Sequence, residues 1–294
     1  MPLEPPRTLS PSKVSTFKDC ALAFRFSAID RLPEPPAPAM TKGTLVHRAL
    51  ELLFCEPAPD RTLVNALNAL ARAADELQTD PEFVGLALDE QQAATFLDEA
   101  EQLVRRYFEL EDPTTINPIG LELGLAVELG GLRLRGIIDR LELDEHGELV
   151  VTDYKTGRAP NPTYEQQRLG GVQFYSYLCE QLFGRRPARV QLLYLADPIA
   201  IIHTPTDQST RALETKVKAI WKAVVRACEH DDFRPRTSRL CDWCSFRAYC
   251  PAWGGDPAQA RELLVQVGSA APTTDDRSPD DAPSGEPALA DALP

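Results

Sequence analysis

The feature that most constrains this chain is a change of periodicity near residue 120. Before it, apolar residues recur at helical spacing. From there, Leu121–Leu129, Leu132–Leu143 and Glu148–Tyr154 form short runs rich in Val, Leu and Ile, separated by Gly130-Gly131 and by His146-Gly147. Glycine between such runs supplies the turn geometry of hairpins, so the stretch predicts a strand meander. Helical patterns surround it. A strong helix is predicted over roughly 41–54, with Leu45, Leu50, Leu52 and Leu53 on its apolar face. Residues 61–110 read as two or three further helices with acidic outer faces. After the meander come a helix around 164–183, a buried strand at 190–196, another at 199–203 and a helix at 208–229. The order predicts a mixed α/β domain with a helical insertion.

The ends read differently. Ser10-Pro11 has the form of an N-cap followed by proline in the first helical turn, opening a short helix through Phe17 and Cys20. The run LPEPPAPA (32–39) is expected to be a linker, neither helix nor central strand. Residues 268–294, rich in Pro, Ala, Ser and Asp without apolar periodicity, predict a disordered acidic tail. No apolar run reaches the roughly 18 residues of a membrane span. The start MPLEPPRTLSPS does not resemble a signal peptide, and seven cysteines without one suit a reducing cytoplasm.

The net charge of −13 argues at first against a nucleic-acid partner. Its distribution changes that reading. Asp60–Asp112 holds 13 acidic and 4 basic residues, and 268–294 holds 6 and 1. By contrast, Lys155–Leu195 carries 6 basic and 2 acidic residues. Acidic flanks therefore surround a neutral-to-basic working region.

The densest chemistry lies between 136 and 156. Gly136-Ile137-Ile138-Asp139 places an acid on an apolar strand, and Val150-Val151-Thr152-Asp153-Tyr154-Lys155 closes the next with Asp-x-Lys. If these strands pair as a hairpin, Asp139 and Asp153 meet near one end, and Asp153 and Lys155 share a face. Two close carboxylates repel unless a cation relieves them, and a hard divalent ion such as Mg²⁺ does so with oxygen ligands. With a lysine beside them the set suits metal-dependent cleavage of a phosphodiester. The bland alternative is two strand-end acids capping turns. A second triplet, Glu214-Thr215-Lys216, reads as a solvated helix face.

Near the end of the patterned region, Cys241, Cys244 and Cys250 form C-x2-C-x5-C. Thiols this close in a cytosolic chain favour a metal over a disulfide, either Zn²⁺ or an iron–sulfur cluster. Cys55, Cys179 and Cys228 read as core packing on apolar helix faces.

Four ordered runs, GTLVHRALE (43–51), GIIDRLE (136–142), VTDYKTG (151–157) and VQFYSYL (172–178), resemble the motifs of RecB-family exonucleases of the PD-(D/E)XK nuclease superfamily, CRISPR-associated and AddB-type relatives included. The resemblance covers roughly residues 8–253. It implies a restriction-endonuclease-like core, a mixed central sheet flanked by helices, with the acidic helical stretch as an insertion. It also implies roles. His47, Asp139 and Asp153 would bind Mg²⁺ or Mn²⁺ with the Tyr154 carbonyl as a further ligand, Lys155 would be the catalytic lysine, and Gln173 and Tyr177 would form a Gln-x-x-x-Tyr pair facing DNA. Glu51 reads as an exposed helix acid, and Glu122, before the meander, is not assigned to the site. Iron–sulfur relatives join one N-terminal cysteine to three C-terminal ones, which makes Cys20, within FKDCALAFRF, the fourth ligand of a [4Fe–4S] cluster; Zn²⁺ is the alternative.

The resulting expectation is one nuclease domain over 1–267, with a helical region at 41–115, a catalytic core at 116–204 and a helix-plus-cysteine segment at 205–267. Its activity would be metal-dependent cleavage of DNA, at single strands or ends, in repair or recombination. The alternative is a non-catalytic DNA-binding subunit that kept the fold. A helicase or repair partner is compatible with the resemblance, which does not fix one.

Overall fold

Local capping chemistry sets where the helices begin. In the computed structural model, which describes residues 2–161, 165–260 and 262, the chain opens with β1 (Thr8–Leu9) and α1 (Pro11–Asp19). Ser10 caps α1, its hydroxyl accepting from the Lys13 N–H at 3.3 Å, with Pro11 in the first turn where no N–H is needed. α2 (Ala21–Phe24) follows directly and runs into a single π-helical turn, Arg25–Ile29. α3 (Pro38–Phe54) starts three residues before the predicted helix, inside the proline-rich run. Proline is excluded from helix interiors but fits the first turn, so the expected linker ends at Ala37.

The acidic stretch folds as α4 (Leu63–Leu77), α5 (Pro81–Gly85) and α6 (Glu90–Tyr107), capped by Thr62, Asp80 and Asp89. Asp89 and Gln92 form a reciprocal capping box. Their apolar faces pack on α3 through Leu50, Leu53, Leu70, Phe96, Leu103 and Tyr107. Cys55 does not join this core: it caps the end of α3 and is exposed, whereas Cys179 and Cys228 are buried as expected.

The strands are β2 (Asn117–Leu129), β3 (Leu132–Leu143), β4 (Leu149–Lys155), β5 (Arg189–Tyr194) and β6 (Ile199–His203). β2 turns into β3 at Gly130 and Gly131, whose φ of 58° and 82° are the paired positive values of a tight hairpin. β3 pairs antiparallel with β4, β4 parallel with β5, and β5 antiparallel with β6. The parallel step requires a crossover, supplied by α7 (Glu165–Phe183). β4 lies between two partners and is buried from Leu149 to Tyr154, so it reads as a continuous apolar run rather than an alternating one. After β6 come α8 (Asp207–His230), three short 3-10 turns and a helical turn at 257–260. The predicted acidic tail, 268–294, lies outside the described residues.

Backbone contacts divide the chain into two units. The larger contains Pro36–Leu125 and Gly136–Thr210; the smaller contains the described residues of Met1–Pro35, Ala126–Arg135 and Arg211–Gly285. In the smaller unit, β1 runs parallel to the start of β3, Thr8 opposite Arg133 and Leu9 opposite Leu134.

A fully buried guanidinium organises the larger unit. Arg140 donates to Glu142 at 2.6 Å, to both oxygens of Glu111 at 2.9 Å, to the Tyr154 hydroxyl at 2.8 Å and to Thr152 at 3.0 Å. The Phe54 ring lies 4.7 Å from its Cζ. Gln191 on β5 completes the set, donating to Glu111 at 2.7 Å and to Thr152 at 2.8 Å. Removing the cation would leave Glu142 and Glu111 buried without a counter-charge. Arg140→Ala is therefore expected to destabilise the protein by about 3–5 kcal/mol. Arg140→Lys, which cannot reproduce the planar fork, should recover only part of that. Denaturant unfolding of both variants checks this; an alanine variant within about 1 kcal/mol of wild type would show that the network adds little.

Candidate active site

The antiparallel register of β3 and β4 sets Arg140 opposite Thr152, which brings Asp139 and Asp153 to the same end of the pair. Both are buried, at 8% and 3% exposure. Asp139 Oδ2 accepts the Tyr154 backbone N–H at 2.6 Å. Asp153 pairs with Lys155, two residues along the strand, through Oδ2 and Nζ. The hairpin inferred from sequence thus delivers both acids and the lysine to one place.

His47 reaches this place from α3. Its Nε2 lies 3.1 Å from the Tyr154 carbonyl oxygen, and a carbonyl can only accept, so Nε2 carries the hydrogen and donates. In the neutral ring that leaves the Nδ1 lone pair aimed at the acids, 3.5 Å from Asp139 Oδ2 and 3.9 Å from Glu122 Oε1. Burial pushes the His47 pKa down, which favours the neutral, ligand-competent ring. The Tyr154 carbonyl, inferred as a metal ligand, here orients the histidine.

Glu122 corrects the sequence reading. Its carboxylate lies with His47 and Asp139 in the one trio, among the described residues, whose candidate ligand atoms all fall within 4.8 Å. Glu122 also has a φ of 43°, in the left-handed region that non-glycine residues rarely occupy. Such strain costs on the order of 1–3 kcal/mol and tends to collect at functional sites. Burial first, then Glu51 and Asp153, push its pKa up from 4.5 to about 7. Burial, Asp153 and Glu122 likewise hold the Asp139 carboxyl well above the usual range. Around Lys155, burial opposes the cation but Asp153 and Asp139 more than offset it, so its pKa rises and it stays protonated. Carboxyls driven toward protonation beside a neutral imidazole are a donor set short of positive charge, and a divalent ion with oxygen and nitrogen ligands fits it. Glu51, read from sequence as an exposed helix acid, is half-buried, held by Arg48 at 2.8 Å and close enough to Glu122 to raise its pKa.

On α7 the structure replaces one tyrosine with another. Tyr175 donates from its hydroxyl to Asp153 Oδ1 at 3.2 Å. Burial, with Asp153 and Asp139 behind it, raises the phenol's pKa, so it remains a donor. Its approach depends on Gly136. A Cβ there would lie 2.9 Å from Leu178 Cδ1 and 3.1 Å from Tyr175 Cε1. Gln173 and Tyr177 share a face, as their spacing requires, but two residues is about 200° around a helix, so that face turns away from the one bearing Tyr175. Gln173 is half-buried and Tyr177 only 4% exposed. The expected pair therefore lies on the face of α7 opposite the one that bears Tyr175. The Gln-x-x-x-Tyr spacing obscured Tyr175, and only the glycine on β3 hinted at a close approach.

The four expected cysteines come together in the smaller unit. Cys20 stands between α1 and α2, while Cys241, Cys244 and Cys250 lie along the 3-10 turns Arg239–Trp243, Arg247–Tyr249 and Pro251–Trp253. All four line one cavity of about 320 Å³. Burial, then Cys20, Cys241 and Cys250, raise the pKa of Cys244, which places the other three sulfurs around it. Backbone N–H groups of Arg236 and Ser238 point at Cys20 Sγ and Cys241 Sγ, at 3.5 and 3.4 Å.

Known proteins bear on this geometry as follows. The Gene 69 protein of Mycobacterium phage D29 is 24% identical over 175 residues, covering 53% of this chain and 65% of that protein, so the match spans just under two thirds of the relative's length. Among solved structures, a candidate exonuclease from Eubacterium rectale aligns with a TM-score of 0.50 at 12% identity, over 81% of this chain and 87% of that one, a likeness of fold. A family model of the PD-(D/E)XK nuclease superfamily matches residues 8–251, a span that takes in both the acidic cluster and all four cavity cysteines. This chain belongs to the PD-(D/E)XK nuclease superfamily.

Proposed function

We propose that the chain is a RecB-like nuclease that hydrolyses phosphodiester bonds of single-stranded DNA or DNA ends. The observation that carries this is the convergence of His47, Glu122 and Asp139 with the Asp153–Lys155 pair at one end of the β3–β4 hairpin. His47 Nδ1 and the Glu122, Asp139 and Asp153 carboxylates would hold Mg²⁺ or Mn²⁺, which supplies Lewis-acid polarisation of the phosphate and lowers the pKa of bound water. Lys155, protonated and 43% exposed at its side chain, is placed to orient water or to steady negative charge on phosphate. Tyr175 fixes one oxygen of Asp153, and the Tyr154 amide fixes one of Asp139. A role in repair or recombination, in the cytoplasm and compatible with a helicase or repair partner, belongs to the same proposal.

A [4Fe–4S] cluster on Cys20, Cys241, Cys244 and Cys250 is proposed as well, as a staple between the two ends of the smaller unit. Four cysteines lining one cavity are the donor set that such a cluster takes, with tetrahedral zinc as the alternative. N–H groups aimed at two of the sulfurs suit thiolates. Anaerobically purified protein is expected to be brown with about four iron atoms per chain; stoichiometric zinc without iron would overturn this part.

Wild type is expected to cleave labelled single-stranded DNA with Mn²⁺ and not with EDTA. Lys155→Ala should lower the rate by roughly 10²–10³-fold while leaving the fold intact. Cleavage that survives Lys155→Ala would overturn the role of the lysine. Absence of cleavage by wild type would favour a DNA-binding subunit.

Protons and metal should compete for the same carboxylates. In the metal-free protein Glu122 has a raised pKa, so its contribution to stability is fully present below 4.5 and is lost as pH rises through about 7. The melting temperature of wild type in EDTA, relative to Glu122→Gln, should therefore fall between pH 5 and pH 8 (a window of about three units). Saturating Mn²⁺ should restore the wild type and not the variant. A wild-type-minus-variant difference that stays flat with pH would remove Glu122 from the site.

A further inference from the structure

The rim of the cysteine cavity combines cationic and aromatic side chains in a way that core packing does not require. Phe233–Trp253 holds four arginines (Arg234, Arg236, Arg239 and Arg247) against one acid, Asp242, in a chain whose net charge is −13. Arg234 is held by Asp232 at 2.9 and 3.0 Å, whereas Arg239 stands exposed at the start of its 3-10 turn. Two tryptophans sit among them. Trp253, 47% exposed, has the Arg247 Cζ 3.8 Å from its ring centroid. Trp243 is 87% exposed, with neighbouring Leu240 at 58%.

An indole is the largest apolar side chain, and leaving one almost wholly in water forgoes the burial that normally positions it. Trp243 is nonetheless held firmly at its base. It closes the 3-10 turn between Cys241 and Cys244, which Ser238 caps by accepting from the Leu240 N–H at 3.2 Å. The result is a flat ring on a short capped turn, lining a cavity that Arg236 and Arg247 also line. An unstacked base offers a π-face to such a ring, and its flanking phosphates suit arginine. Duplex DNA hides its base faces in the stack and would leave the indole unused. A lipid surface would call for more apolar area than two indoles and one leucine beside Asp242.

We propose that Trp243 is a stacking platform for one base of single-stranded DNA, with Arg236 and Arg239 taking the adjacent phosphates, while Arg247 is held by Asp242 and the Trp253 ring. This rests on the nuclease reading above and extends it to a binding surface outside the acidic cluster.

The test is fluorescence anisotropy of a labelled single-stranded oligo-dT with the full chain in EDTA, where cleavage does not interfere. Trp243→Ala should weaken binding by about 5- to 100-fold, Trp243→Phe should stay within a few-fold of wild type, and affinity for a blunt duplex should not change. Melting temperatures establish that the variants are folded. Should the alanine variant fail to fold, the wild type still decides the matter. An oligonucleotide carrying 5-iodouracil should photo-crosslink within Cys241–Trp253, and a crosslink confined to other segments overturns the platform. Equal single-strand affinity of wild type and Trp243→Ala overturns it too, while cleavage by wild type would keep the nuclease reading standing. A wild type that neither binds nor cleaves DNA overturns both.

Discussion

Tyr154 joins the interior of the larger unit to its chemistry. Its amide N–H fixes Asp139, its carbonyl oxygen fixes the His47 ring, and its hydroxyl receives the Arg140 guanidinium. The three bonds come from one residue on the most buried strand, so the positions of an acid from β3 and a histidine from α3 are set by the two peptide groups that flank a single Cα. Behind it, Arg140, Glu111, Glu142, Thr152 and Gln191 satisfy one another without water. Such a network is costly when incomplete and rigid when complete. The active cluster inherits that rigidity.

Strand pairing was legible because it depends on alternation and turn glycines. The β3–β4 hairpin, the placement of Asp139, Asp153 and Lys155, and the four-cysteine cavity all follow residues that the sequence displays openly. What escaped depends on backbone conformation and helical phase. Glu122 joins the trio from a left-handed backbone position within β2, and no composition signal marks such a conformation in advance. Tyr175 was hidden by a more conspicuous spacing on its own helix. The start of α3 was misplaced because three prolines nearby outweighed the fact that a first turn accepts one. Cys55 looked apolar in the pattern and fell at a cap.

The charge distribution takes on physical meaning in this frame. Acidic residues gather on the outer faces of α4 to α6, where water solvates them, while the buried acids are few and each has a named partner. A whole-chain charge of −13 therefore says little about the field at the cluster or at the arginine-bearing rim of the cysteine cavity.

The contact between Gly136 and α7 carries a different kind of consequence. No reactive group is present at Gly136, yet the missing methyl is what lets Tyr175 come down onto Asp153. The tolerance of this position to change is thus set by a partner on another element and by an acid one step beyond it. An alanine here would press on the far end of Leu178 and ask the Tyr175 ring to give by a few tenths of an ångström, so steric room on a neighbouring strand sets how closely the phenol meets its acid.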